Sequence, residues 1–202
     1  MAFTKEQMAE NIKRFEELLD SVHRDGIDRL LDFIRKSDFY KAPASTRFHS
    51  SCEGGLLYHT LQVYDCLQRK KSEAQVLWAD TMQNTEDESL ILVALLHDLC
   101  KTYYYSTEMR NKKDENGKWI QVPFYTVNDK VPYGHGEKSV MMIEEYIKLK
   151  PVERYAIRWH MGFSEPKELY GTLGEAIKKY PLCLAIHEAD LEATYLMESD
   201  NE

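Results

Sequence analysis

One stretch restricts the fold more than any other. Leu90-Ile91-Leu92-Val93-Ala94-Leu95-Leu96 is apolar on every face for about two turns and runs straight into His97-Asp98-Leu99-Cys100-Lys101. A helix apolar all round has no side to offer water, so it is expected in the middle of a domain with neighbours on every face. The chain then sets an imidazole, a carboxylate and an ammonium at the end of that helix. Burying such groups is costly unless each is paired or bound to a metal. The residues alone also allow an ordinary helix end, with Asp98 solvated or capping a turn and His97 making one core hydrogen bond.

A chain of 202 residues can bury one good core, so a single domain over residues 1–202 is expected. Its 43% hydrophobic and 30% charged residues are those of a soluble globular protein, and no apolar run approaches the ~20 residues of a membrane helix. Met1 to Glu17 is polar and amphipathic, without the apolar core of a signal peptide, so a cytoplasmic protein with no membrane partner is expected. Cys52, Cys66, Cys100 and Cys183 are far apart and form no CxxC pair, which argues against a zinc knuckle or a disulfide framework. A formal net charge of −8 argues against binding extended duplex nucleic acid, which needs a basic face. A small phosphorylated substrate held by a few local cations remains compatible with it.

Taken in order, residues 5–22 and 27–34 carry apolar side chains at helical spacing, and two helices joined near Asp25-Gly26 are predicted within residues 1–36. Ser37 to Ser51 reads as a loop containing Arg47 and His49, the latter as a packing or supporting histidine. Glu53-Gly54-Gly55-Leu56-Leu57-Tyr58-His59-Thr60 opens a helix to about Lys70, with His59 on its apolar stripe, either a satisfied core histidine or a ligand. Thr81 to Glu88 reads as a polar link. Past Lys101 the pattern changes: 103–107 and 119–127 favour strands, with a turn at Asp114-Glu115-Asn116-Gly117, so one β-hairpin over about residues 103–127 is predicted. Pro132 to Glu137 is a tight loop into a helix with Val140, Ile143 and Ile147 on one face, and His135 sits at its entrance. Pro151 suits the first turn of a helix that reaches His160. A further helix is predicted from Gly171 to Lys179 and a last one from Pro181, with Asp190 close to its inner face. The fold class that follows is mainly α, about eight helices interrupted by one hairpin.

The inward or helix-end candidates are therefore His59, His97, Asp98, His135, His160 and Asp190, drawn from different elements. Six such groups are too many for separate core hydrogen bonds and match a site for two metal ions. Imidazole with carboxylate favours Mn, Fe, Co, Ni or Zn over Ca²⁺, which prefers oxygen shells. A carboxylate flanked by imidazoles can bridge ions ~3.5–4 Å apart. Asp98 is the expected bridge.

The opening Gly-Gly-Leu-Leu-Tyr-His-Thr, the doublet Leu-His-Asp-Leu-Cys-Lys and the late Asp190 resemble, in that order, the HD superfamily of metal-dependent phosphohydrolases over roughly residues 45 to 197, the hairpin apart. His135 and His160 resemble the extra ligands of its binuclear branches. There is no GYP signature and no room for a separate OB domain, which sets cyclic di-nucleotide hydrolysis and processive RNA degradation aside. The resemblance implies an HD-domain helical bundle in which His59, His97, Asp98 and Asp190 hold one divalent transition-metal ion and Asp98, His135 and His160 a second. It further implies hydrolysis of a phosphomonoester or phosphodiester bond, in a nucleotide or short oligonucleotide, by a hydroxide shared between the ions. Lys101 would neutralise charge on the phosphate beside Asp98, with Arg47 as a further phosphate contact and Arg110 and Trp119 of the hairpin as substrate contacts. The six-ligand set also resembles the diiron oxygenases of the superfamily. A non-catalytic metal-dependent nucleotide-binding module is the third reading.

Overall fold

A computed structural model describes residues 3–47, 49–72 and 78–198. The Thr4 hydroxyl accepts from the Gln7 backbone N–H at 3.2 Å while the Gln7 side chain accepts from Thr4 N–H at 2.8 Å. This reciprocal cap satisfies two donors that a helix start leaves without partners. Helices α1 (Lys5–Asp20) and α2 (Ile27–Lys36) follow, burying Phe15, Leu19, Leu30, Leu31 and Ile34 as their spacing predicts. A run of turns leads to α3 (Gly55–Ser72), then α4 (Ala79–Gln83) and α5 (Asp87–Leu96). Every residue of α5 from Ser89 to Leu96 is buried, the outcome demanded by its all-round apolarity. Helices α1, α3 and α7 (Pro151–Trp159) pack on it.

After α5 the chain makes a 3₁₀ turn, Leu99–Lys101, and enters an antiparallel hairpin of β1 (Tyr105–Lys113) and β2 (Trp119–Val127). The Asp114 side chain accepts from the N–H groups of Asn116 and Lys118, both at 2.9 Å, and so ties the turn. Helices α6 (His135–Glu144), α7, α8 (Tyr170–Lys179) and α9 (Leu182–Glu192) complete the order, and α9 continues into a π turn, Ala193–Met197. The described residues thus form a mainly α-helical fold with one inserted hairpin. Helix α9 packs on both α3 and α7, so the core lies between α3, α5, α7 and α9, with α6 laid over the 3₁₀ turn.

Two segments depart from the sequence reading. The first residues of the predicted polar link at Thr81–Glu88 belong instead to α4, whose Met82 is buried, while Glu86 to Glu88 open α5 as their charge suits. Helix α6 stops at Glu144 rather than reaching Ile147 and Leu149. Those two are buried by a turn instead, since Lys150 must be extended to precede Pro151 (φ −68°, ψ 155°).

Candidate metal centre

Five elements converge where α5 ends. Helix α3 brings His59, the end of α5 brings His97 and Asp98, the first residue of α6 is His135, α7 ends against His160, and α9 carries Asp190. Close backbone contact makes this convergence feasible. A Cβ on Gly136 would lie 2.2 Å from the Arg158 carbonyl oxygen, so the missing side chain is what lets α6 sit on the end of α7 and set His135 beside His160. Gly55 does the same for α3, where a Cβ would meet the Ser50 carbonyl oxygen at 1.9 Å.

Asp98 stands at the centre, buried, with its two oxygens facing different histidines. Oδ1 is 2.8 Å from His135 Nε2 and 3.6 Å from His160 Nε2. Oδ2 is 3.5 Å from His97 Nε2, 3.9 Å from His59 Nε2 and 2.7 Å from Lys101 Nζ. Asp190 Oδ1 is 3.2 Å from His59 Nε2. All six histidine and aspartate candidates from the sequence are therefore brought together. His59, His97 and Asp98 form one group able to hold a metal ion; Asp98, His135 and His160 form another; His97, His160 and Asp190 link the two.

The tautomers are fixed from behind. His97 Nδ1–H donates to the Ala94 carbonyl at 2.8 Å and His160 Nδ1–H to the Ile157 carbonyl at 2.7 Å. Each Nε2 then points its lone pair into the cluster, and both Nε2 atoms are buried without a hydrogen-bond partner. Orphaned buried acceptors are rare in folded proteins, and imidazoles whose other nitrogen is held by a carbonyl or carboxylate are the usual metal-ligand arrangement. The donor set therefore fits a metal ion. His59 Nδ1 faces Glu198 Oε1 at 2.8 Å, and Ser50 Oγ donates to the other Glu198 oxygen at 2.6 Å. His135 Nδ1 lies 3.4 Å from Cys100 Sγ.

The charges divide the histidines: burial opposes a charge on His160, yet Asp98 raises its pKa above the usual value, whereas His97 stays neutral. Burial holds the His97 imidazole neutral, lowering its pKa to about 3. For Asp98 burial works against ionisation, but Lys101 and the histidines outweigh it and keep the carboxyl well below its usual range. Burial also opposes charge on His59, yet Glu198 and Asp190 together raise its pKa to about 10. Burial pushes the Cys100 thiol up to about 12, so it remains a thiol.

The cluster opens into a cavity of about 800 Å³ whose wall includes Asp98, Lys101, His135, Asp190, Arg47 and Tyr105. Lys101 Nζ also donates to the Ala44 carbonyl at 2.7 Å, and the Tyr105 hydroxyl donates to the same oxygen at 3.1 Å. Arg47 lies 5.6 Å from the Phe124 ring centroid, and Arg110 lies over the same ring at 3.7 Å. Neither Arg110 nor Trp119 lines the cavity. The strand register pairs Trp119 with Lys113 at the far end of the hairpin, where the residue is 64% exposed. Of the hairpin's aromatic residues, Tyr105 reaches the wall, joined there by Tyr104 just before the first strand.

The sequence reading missed Glu198 and underrated His49. Glu198 is eight residues past Asp190, and at about 100° per residue an α-helix would place it well off the same face. The intervening π turn adds a residue to the turn and brings the two carboxylates back into line on His59. No local pattern announces such a turn. The His49 ring lies 4.8 Å from that of His59 with neither nitrogen hydrogen-bonded, and it lines the cavity.

No family model, curated protein or solved structure matches the chain. Fold and site define a helical protein with a buried histidine and aspartate cluster able to hold metal ions.

Proposed function

We propose that this is a metal-dependent phosphohydrolase of the HD type, cleaving a phosphomonoester or phosphodiester bond of a nucleotide or short oligonucleotide. One observation carries the reading: Asp98 turns one oxygen to His59 and His97 and the other to His135 and His160, so its carboxylate would be available to an ion held on either side. His59, His97, Asp98 and Asp190 would hold the first ion, and Asp98, His135 and His160 the second. Such ions, when bound, supply a water acidified to near neutral pH and a positive charge for a phosphoryl oxygen.

The remaining work falls to the chain. Lys101, in the cavity wall, keeps its proton because Asp98 outweighs the cost of its burial, and its ammonium is fixed by Asp98 and the Ala44 carbonyl. It is placed to neutralise a non-bridging phosphate oxygen as charge builds there. Tyr105 holds the Ala44 carbonyl that orients Lys101. Arg47, exposed on the same wall, offers a fork of donors for a further phosphate oxygen. Glu198 keeps the His59 Nδ1 proton in place, leaving Nε2 for the site.

The test is elemental analysis of protein purified without added metal or chelator, then a panel of phosphatase, nucleotidase and phosphodiesterase substrates with Mn, Fe, Co, Ni or Zn. Two ions per chain and phosphate release in the absence of oxygen are expected. Lys101→Ala should lower turnover by about 10²–10³-fold while metal content stays. Turnover that needs O₂ would select the oxygenase chemistry instead. Metal-dependent nucleotide binding without turnover would select a binding module.

A further inference from the structure

Helix α9 and its π turn put Ile186, Ala189 and Ala193 into the core, and the opposite face forms one long side of the metal-centre cavity. Two residues of that side carry uncommitted polar or aromatic groups. His187 stands three residues before Asp190 and Tyr195 five residues after it, about 12 Å apart along the axis at the α-helical rise.

His187 belongs to the end of the cavity beside His160. Its Nδ1–H donates to the His160 carbonyl at 2.8 Å, and its ring lies so close to Gly162 that a Cβ there would be 2.4 Å from Nε2. Met161 and Ser164 continue the wall at this end. Nε2 is left as an acceptor on the wall and, unlike the Nε2 atoms of His97 and His160, is not sealed off by its neighbours. Tyr195 belongs to the other end. Glu198, three residues on, reaches His59 and Ser50, which sets the π turn on the His59 side of the cluster. Of the three tyrosines that line the cavity, Tyr104 and Tyr105 meet edge to face at 5.0 Å, and the Tyr105 hydroxyl is committed to Ala44. Tyr195 has no ring contact or hydrogen bond among the described residues and is 68% exposed, with Leu191 exposed one turn before it. A ring presented in this way suits stacking by a base.

The metal-binding groups lie between these two residues. A monoester leaves its phosphate in one direction and meets one of them, whereas a diester leaves it in two and meets both. The cavity volume of about 800 Å³, in the upper part of the range of small-molecule sites, agrees with a group on each side. Resting on the hydrolase reading above, we propose that the substrate is a phosphodiester joining two nucleosides, the base of one stacked on Tyr195 and a sugar hydroxyl of the other donating to His187 Nε2.

The test is calorimetric titration of the full-length, metal-replete protein with two phosphorothioate diesters of equal charge, both slow to cleave. One is a linear adenosine dinucleoside; the other is adenosine 5′-O-methyl phosphorothioate, which lacks the second nucleoside. The dinucleoside should bind about tenfold tighter. Tyr195→Ala should weaken it about tenfold and Tyr195→Phe should not, because the ring is what stacks. His187→Ala should weaken the dinucleoside about fivefold and leave the methyl ester unchanged, and His187→Gln, which keeps an acceptor, should recover affinity. Ser164→Trp, at an exposed position of the same end, should exclude the second nucleoside and remove the dinucleoside's advantage, which keeps the test open if the His187 variants lose metal. Equal affinity for the two esters in the parent, or a dinucleoside affinity unmoved by Tyr195→Ala, overturns the proposal. Cleavage of the unmodified esters is scored separately. This binding pattern with no ester cleaved overturns the hydrolase reading alone, and cleavage of adenosine monophosphate with the dinucleoside left intact overturns the present proposal alone.

Discussion

A carboxylate behind a ligating imidazole decides which ring nitrogen keeps the proton, and its loss commonly costs 10–100-fold in metal affinity. Glu198 holds that position behind His59. Glu198→Gln should therefore weaken the first ion by about 10–100-fold, measured by competition with a chromophoric chelator, and should leave the His135 and His160 group largely intact. The same contact makes a pH prediction for metal-free protein. His59 is raised from 6.5 to about 10, so the stability it draws from Glu198 and Asp190 is complete below pH 6.5 and is lost as pH rises towards 10. Thermal midpoints of chelator-treated protein should fall between pH 7 and 9.5, and the fall should shrink in Glu198→Gln. Metal affinity should move the opposite way, rising over that window, because the proton must leave before Nε2 can bind an ion. A midpoint flat with pH in the parent would show that the pair does not titrate in this range.

At the level of elements, the junctions between helices carry the specificity. Gly136 is where α6 meets the backbone of α7, so Gly136→Ala must push the two apart. The expected result is a folded protein that retains one ion and loses the second, read by metal stoichiometry and circular dichroism. A second junction joins the α1–α2 loop, α5 and α7: fully buried Glu153 accepts from Arg24 at 2.7 Å, from Ser89 Oγ at 2.6 Å and from the Lys150 N–H at 2.6 Å. Glu153→Ala takes the acceptor from the buried Ser89 hydroxyl and from the Lys150 N–H while Arg24 keeps Glu88 and the Lys148 carbonyl, and should cost about 1–3 kcal/mol in denaturant unfolding. The hairpin is the opposite case. Its outer half is exposed on both strands, so replacing Asn111 to Lys118 by a two-residue turn should leave the thermal midpoint and metal content unchanged. A KM increase for a nucleotide but not for p-nitrophenyl phosphate in that variant would restore a substrate role to the tip. With Trp119 far from the cavity, equal kinetics are expected.

For the molecule as a whole, the centre is a pin through five elements, since its six side chains come from α3, the end of α5, α6, the end of α7 and α9. Anything that binds the folded chain alone stabilises it, by about 2.7 kcal/mol at a hundredfold excess over Kd. For a chain of this size, chelation should then lower the thermal midpoint by about 5–10 °C, and adding back the ion should restore it. An unchanged midpoint would mean that metal does not bind the folded state in preference. The sequence by itself determined much of this protein. An all-apolar α5 ending in His97-Asp98 has to be central, periodic apolar residues set most of the other helices, and strand-forming residues around an Asn-Gly turn set the hairpin. It also marked the six cluster residues, because ionisable groups on apolar stripes stand out against a pattern that is otherwise hydrophobic. Tertiary structure alone decided which oxygen of Asp98 faces which imidazole, that Glu198 and Cys100 stand behind His59 and His135, and that Arg110 and Trp119 stay out of the cavity. Those outcomes depend on distances between elements remote in the chain, on a π turn that shifts the phase of α9, and on glycine contacts a few ångströms wide. Local periodicity encodes which face of an element is buried, not how far the buried faces finally approach one another.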